Sequence, residues 1–163
     1  MNAVDLLEAQ HREVEELFEE LDDAGEGARK TKERLCREIS DQLAVHAEIE
    51  EKIFYPESKQ EDTEALLRES VEEHLSMKRV LTEILEGGTE NEQFMARMKV
   101  LQEQVEHHVL EEEGELFPMV RKACSREELT EMGERMEKLA EELIEEGQPS
   151  SRIPDQTDRP API

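Results

Sequence analysis

Two histidines each stand four residues before a glutamate, as His46-x-x-x-Glu50 and His108-x-x-x-Glu112. On a helix this spacing returns a side chain to the same face, so each pair offers an imidazole beside a carboxylate. Two further histidines, His11 and His74, stand alone in segments of their own. Four imidazoles and two carboxylates without a thiolate suit iron, manganese or zinc, and argue against iron–sulfur or copper–thiolate chemistry. Six donors exceed what one tetrahedral zinc needs. They match two metal ions about 3.5–4 Å apart, the glutamates bridging and two histidines completing each ion. Open coordination positions remain for water, a small diatomic ligand or peroxide. Haem attachment finds no Cys-x-x-Cys-His to use.

The two His–Glu pairs belong to an internal repeat. His46-Ala-Glu-Ile-Glu50-Glu-Lys-Ile-Phe-Tyr-Pro56 aligns with His108-Val-Leu-Glu-Glu112-Glu-Gly-Glu-Leu-Phe-Pro118, down to the final aromatic–proline pair. The alignment selects His108 over His107, because one residue turns a helical side chain by about 100° and sends His107 to a flank. Pro56 and Pro118 are placed to bend or end their helices just past the site. Tyr55, the only tyrosine, is expected to pack near the bundle end, with a redox or hydrogen-bonding role near the metals as the alternative.

The elements that must hold these residues are helices. Long stretches rich in Glu, Leu, Lys, Arg and Met are separated at Gly25 and Gly27, at 58–62, at Gly87-Gly88 and at 123–125. Capping-box spacing marks two starts, Thr89 with Glu92 and Ser125 with Glu128. Helices are predicted over 2–24, 30–57, 62–86, 90–121 and 126–146. Four long ones with short connections imply an all-α, up-down-up-down four-helix bundle with a shorter fifth helix on its side or end.

The apolar stripes carry the intruders. They read Val4, Leu7, His11, Val14, Phe18, Leu21 in the first helix, and Leu35, Ile39, Leu43, His46, Glu50, Ile53 in the second. The third reads Leu67, Val71, His74, Lys78, Leu81, Leu85, and the fourth Phe94, Met98, Leu101, Val105, His108, Glu112, Met119. A carboxylate in such a stripe is prohibitive without compensation, and a metal cation supplies it. Lys78 is expected to snorkel, or to donate to a group around the metals.

Composition sets the outer limits. The 163 residues hold 44 acids against 20 bases, a formal charge of −24. A phosphate-neutralising nucleic-acid surface is excluded, and an anionic membrane surface is disfavoured. No apolar run approaches the ~20 residues of a membrane span, and Met1–Gln10 lacks a signal-peptide pattern. Cys36 and Cys124, far apart and outside any CxxC, read as free thiols of a cytoplasmic protein. Residues 148–163 carry four of the six prolines and equal numbers of acids and bases. That Pro-rich tail is expected to be disordered, beyond one domain over 1–147 that bears the whole charge.

The pattern His11 … His46-x-x-x-Glu50 … His74 … His108-x-x-x-Glu112, with HAEIEEKIFYP and HHVLEEEGELFP, resembles the hemerythrin-like, HHE cation-binding family over about residues 3–145. The resemblance implies a bundle holding two non-haem iron ions with an oxo or hydroxo bridge, manganese or zinc being the lesser candidates. Its members are linked to oxygen binding, oxygen or redox sensing, nitric oxide response, iron homeostasis and repair of iron centres. The expected role is binding or sensing of oxygen, peroxide or nitric oxide. An iron reservoir or iron-responsive switch and a peroxide-disproportionating enzyme are the alternatives. Oxygen carriers of the family have a second histidine one turn after the third-helix ligand, where this chain has Lys78. That change leaves one iron less saturated and favours redox turnover over reversible carriage. Relatives with repair activity carry a cysteine-bearing N-terminal segment, whereas this chain starts almost directly with the first helix.

Overall fold

The computed structural model describes residues 1–25 and 27–163, and every regular element among them is helical. Helix α1 spans Ala3–Asp23, started by Asn2, whose side chain accepts from the Asp5 N–H. Helix α2 runs over Arg29–Ile49, through a π turn at Glu50–Phe54, into Tyr55–Glu57. Helix α3 is Glu64–Gly87. Helix α4 runs over Phe94–Glu111, through a second π turn at Glu112–Leu116, into Phe117–Ala123. Helix α5, Arg126–Glu146, opens on the expected capping box of Ser125 and Glu128. The box expected at Thr89 does not form. There α4 begins only at Phe94, after Asn91 Oδ1 accepts from the Gln93 N–H.

The apolar stripes divide into two clusters along the bundle. One gathers Val4, Leu7, Ile49, Val71, Leu116 and Phe117 with α5 residues Met132, Met136 and Leu143. The other gathers Val14, Phe18, Ile39, Leu81, Leu101 and Val105. His11, Glu50, His74, His108 and Glu112 lie buried between them. A polar layer walled by apolar side chains at both ends is shielded from water, which strengthens every charge interaction inside it. Helix α5 packs on α1 and α2. At Gly133 an added Cβ would lie 2.8 Å from the Ala3 backbone nitrogen, so only glycine admits this close approach.

Both π turns fall at the same place in the repeat, and they move the stripe by one residue. A wide i→i+5 turn stacks residues five apart on one face. The Tyr55 and Phe117 N–H groups accordingly donate to the carbonyls of Glu50 and Glu112. Beyond each glutamate the buried residues are therefore Phe54, Tyr55, Leu116, Phe117 and Val120, while Ile53 and Met119 are only half-buried. Pro56, one residue before the end of α2, and Pro118 each stand two residues past their π turn. Proline lacks the N–H that a regular turn would use there. Pro118 does not end its helix, which continues to Ala123.

The tail departs from expectation. Pro149–Gln156 forms a 3-10 helix against α2 and α3, with Ile153 3% exposed in the second apolar cluster. Asp41 Oδ1 accepts from the Ser150 N–H, and the Arg79 guanidinium donates to the Thr157 carbonyl. Proline content lowers the entropy lost on ordering, and one buried isoleucine contributes about 1.5–3 kcal/mol, enough to seat a short segment. Ile153→Asp is expected to release it, lowering Tm by roughly 5 °C. Limited proteolysis should then cut after Gly147, where the wild type resists.

Candidate metal centre

Each of the four helices α1–α4 brings one histidine to the polar layer, and the HxxxE helices add their glutamates. His11 pairs with His46, ring centroids 4.9 Å apart, and His74 with His108 at 4.8 Å. The carboxylates lie between the pairs. Glu50 turns Oε1 to His46 Nε2 at 3.1 Å and Oε2 to His74 Nε2 at 3.0 Å, so it spans both. Glu112 Oε1 lies 3.2 Å from His108 Nε2 and 3.3 Å from His11 Nε2. His11, His46, Glu50 and Glu112 form one set of donors mutually within 4.8 Å, and Glu50, His74 and His108 form another. All six residues expected from the sequence are thus brought together.

All four rings are held from outside by Nδ1. His11 meets Glu113 at 2.8 Å, His46 meets Gln10 at 2.7 Å, His74 meets Glu51 at 3.0 Å and His108 meets Glu73 at 2.9 Å. An acceptor on Nδ1 fixes the proton there and turns the Nε2 lone pair inward. These four holders escaped the sequence reading, yet each adjoins a ligand candidate: Gln10 before His11, Glu73 before His74, Glu51 and Glu113 after the two glutamates. The doubled glutamate in both halves of the repeat was the available signal.

Lone pairs then face lone pairs. Among the described residues, His11 Nε2, His46 Nε2, Glu50 Oε1 and Glu112 Oε1 are buried without any hydrogen-bond partner. The contacts of 3.1–3.3 Å between them lack hydrogen-bonding geometry. A cation among these atoms makes every one of them favourable. Without one, protonated imidazoles must answer the carboxylates. Burial opposes charge on His108, but Glu112 and Glu73 outweigh it and hold its pKa well above the usual imidazole value. Burial likewise opposes charge on Glu112, yet His108 and His11 hold it well below the carboxylate range.

That charge state sets a pH dependence. A raised histidine pKa gives stability that is complete below the ordinary imidazole value and lost as pH rises through the raised one. The metal-free protein should therefore lose Tm on going to alkaline pH, and the loaded protein should not. Metal uptake displaces these protons, so affinity should fall as pH is lowered. Melting and metal titration at several pH values check both signs.

Tyr55 takes the second of its two expected roles, not the first. Its π turn carries it inside, fully buried, where its one hydroxyl proton has two carboxylate acceptors in reach, Glu50 Oε2 at 2.9 Å and Glu112 Oε2 at 3.0 Å. The same oxygen lies 3.2 Å from His74 Nε2 and 3.3 Å from His108 Nε2. Burial, with Glu112 and Glu50 beside it, pushes its pKa well up, so it acts as a donor. Phe117 takes the equivalent place in the other half and stacks on His11. Lys78 is buried and bonds both Glu51 oxygens, at 2.7 and 3.0 Å. His107 faces outward as expected, its side chain 64% exposed. A cavity of about 350 Å³ opens beside the four histidines, walled by Val14, Leu81, Leu101, Val105 and Ile153.

The comparisons agree with this geometry. The model of the hemerythrin HHE cation binding domain matches residues 2–120. The chain belongs to that family. A crystal structure of a hemerythrin HHE cation binding domain-containing protein from Mycobacterium kansasii superimposes with a TM-score of 0.77 at 21% identity. The match covers 96% of this chain and 99% of that one, and it establishes the shared fold. A curated relative, a DNA nickase of Nostoc sp., is 32% identical over 128 residues. Those residues are 78% of this HHE chain and 36% of the relative, so the chain spans about a third of that protein's length. The HHE family binds metal cations, and the histidine–glutamate clusters fit such a site. Among the described residues no helix is long and apolar enough to cross a membrane.

Proposed function

We propose that this HHE protein holds two non-haem iron ions and uses them to bind or sense oxygen, peroxide or nitric oxide in a redox or stress response. His11 and His46 would hold one ion, His74 and His108 the other, with Glu50 and Glu112 shared inside an up-down-up-down bundle. The observation that carries this reading is the convergence of four partnerless buried donor atoms, two on imidazoles and two on carboxylates. Bound iron would supply reversible electron transfer and a place for a small ligand. The chain's own part is to aim the imidazoles through Nδ1 and to offer the Tyr55 hydroxyl as a proton donor. The mostly apolar cavity limits water and leaves room for a diatomic molecule.

The site residues leave no histidine at position 78. Lys78 is tied to Glu51 instead, which supports turnover or sensing above simple oxygen carriage. Unpaired Cys36 and Cys124 suit a reducing cytoplasm. The nickase activity named for the Nostoc relative is not part of this proposal. Most of that protein lies outside the match, and a chain of −24 repels a phosphate backbone.

Aerobic purification with iron analysis and an optical spectrum tests the reading. Two irons per chain with oxo-bridged charge-transfer bands are expected, and less than one iron without such bands would falsify it. The reservoir alternative draws on the acidic surface, which concentrates cations. It predicts that iron leaves readily to a mild chelator.

A further inference from the structure

The four groups that hold the centre histidines are not electrically alike. Gln10 is neutral. Glu51 is neutralised by Lys78 at 2.7 Å, and Glu113 by Arg12 at 2.5 Å. Glu73, the holder of His108, has no lysine or arginine paired with it among the described residues. Where the others have a base, Glu73 meets His107 from the next helix. Its Oε2 lies 3.4 Å from His107 Nε2, which is 3.2 Å from Glu111 Oε1. The three donor atoms fall within 4.8 Å of one another. Negative charge is unbalanced here.

We propose that Glu73, His107 and Glu111 form an outer divalent-cation site, separate from the buried centre, for an ion of the zinc or ferrous class. Donor separations of 3.2–3.4 Å match the edge of a tetrahedron with bonds of about 2.0–2.1 Å. His107 and Glu111 repeat the HxxxE spacing of the inner ligands one residue earlier, so the same helix presents a second imidazole–carboxylate pair on its outer flank. Exposure of His107 leaves a coordination position for water. The ion takes the part that Lys78 and Arg12 play beside the other two carboxylates. Because Glu73 uses Oε1 for His108 and Oε2 for the outer ion, occupancy draws charge from the carboxylate that holds an inner ligand. The proposal does not depend on which metal fills the centre.

The test is zinc uptake by the protein as purified, dialysed against micromolar free Zn²⁺ at about 0.15 M salt, where diffuse attraction to the acidic surface is screened. Zinc is counted in wild type, His107→Ala and Glu111→Gln, with the centre's metal measured in the same samples. Wild type should bind one zinc per chain more than His107→Ala, and Glu111→Gln should bind at least tenfold more weakly than wild type. The centre's metal should be the same in all three. Equal zinc in wild type and His107→Ala overturns the proposal. An empty centre would count against the di-iron reading alone, since the difference between wild type and variant still reports the outer site.

Discussion

Removing the metal with a strong chelator should lower the melting temperature of this protein by more than 10 °C. The ground is the set of buried atoms with no hydrogen-bond partner among the described residues, His11 Nε2, His46 Nε2, Glu50 Oε1 and Glu112 Oε1. Each such atom costs about 1–3 kcal/mol when nothing answers it. Four of them represent a large share of the 5–15 kcal/mol that separates a typical folded domain from its unfolded chain. At this size one kcal/mol corresponds to roughly 2–4 °C. Protonation of the imidazoles recovers part of the loss, and for that reason the deficit should widen as pH rises. Calorimetry with and without chelator, followed by restoration with ferrous iron, measures it. An unchanged Tm would show that the apo site relaxes without cost, and would remove the iron-responsive stability switch from consideration.

The parts of the fold that follow a regular helical period were legible in the sequence. In α1 all six stripe residues, His11 included, are buried as the spacing requires. The six metal-site candidates converge because none lies beyond a π turn: His46 and His108 precede one, Glu50 and Glu112 open one, and His11 and His74 sit in helices without one, so the 3.6-residue period still applies at all six. Beyond Glu50 and Glu112 it fails. The stripe named Met119 where Val120 is buried, and a place at the bundle end is only the first expectation for Tyr55, whose hydroxyl lies among both carboxylates. An inserted residue in a helix has no hydrophobic signature of its own. The one trace it left is the aromatic–proline pair set five residues after each glutamate. The holders Gln10, Glu51, Glu73 and Glu113 were hidden for another reason: in a chain so rich in glutamate, a carboxylate bound to an imidazole looks like any solvated one. Ile153 was masked by the prolines around it, whose composition signals disorder although their restricted backbone makes docking cheap.

His74→Ala should remove more metal than any substitution of a holder, and this separates ligands from their supports. His74 Nε2 faces Glu50 Oε2 at 3.0 Å in the pair that also includes His108. Without it, one half-site keeps one imidazole and shared carboxylates, too few donors to compete with water for a divalent ion. The expected content is one iron per chain or less. Oxo-bridged absorption should be lost, and any turnover of added peroxide should be abolished. Glu51→Gln removes only the carboxylate that fixes the His74 ring, leaving Nε2 in place. Loss of such a support typically costs 10–100-fold in metal affinity, so two irons should still bind when iron is in excess. Iron titration of both variants beside wild type distinguishes the cases. If His74→Ala retained two irons and the wild-type spectrum, the assignment of His74 and His108 to one ion would fail, even with the fold and the family membership intact. If Glu51→Gln lost as much metal as His74→Ala, the inward Nε2 of His74 would depend wholly on its holder. The lysine that neutralises that holder, Lys78, would then be the next residue to substitute.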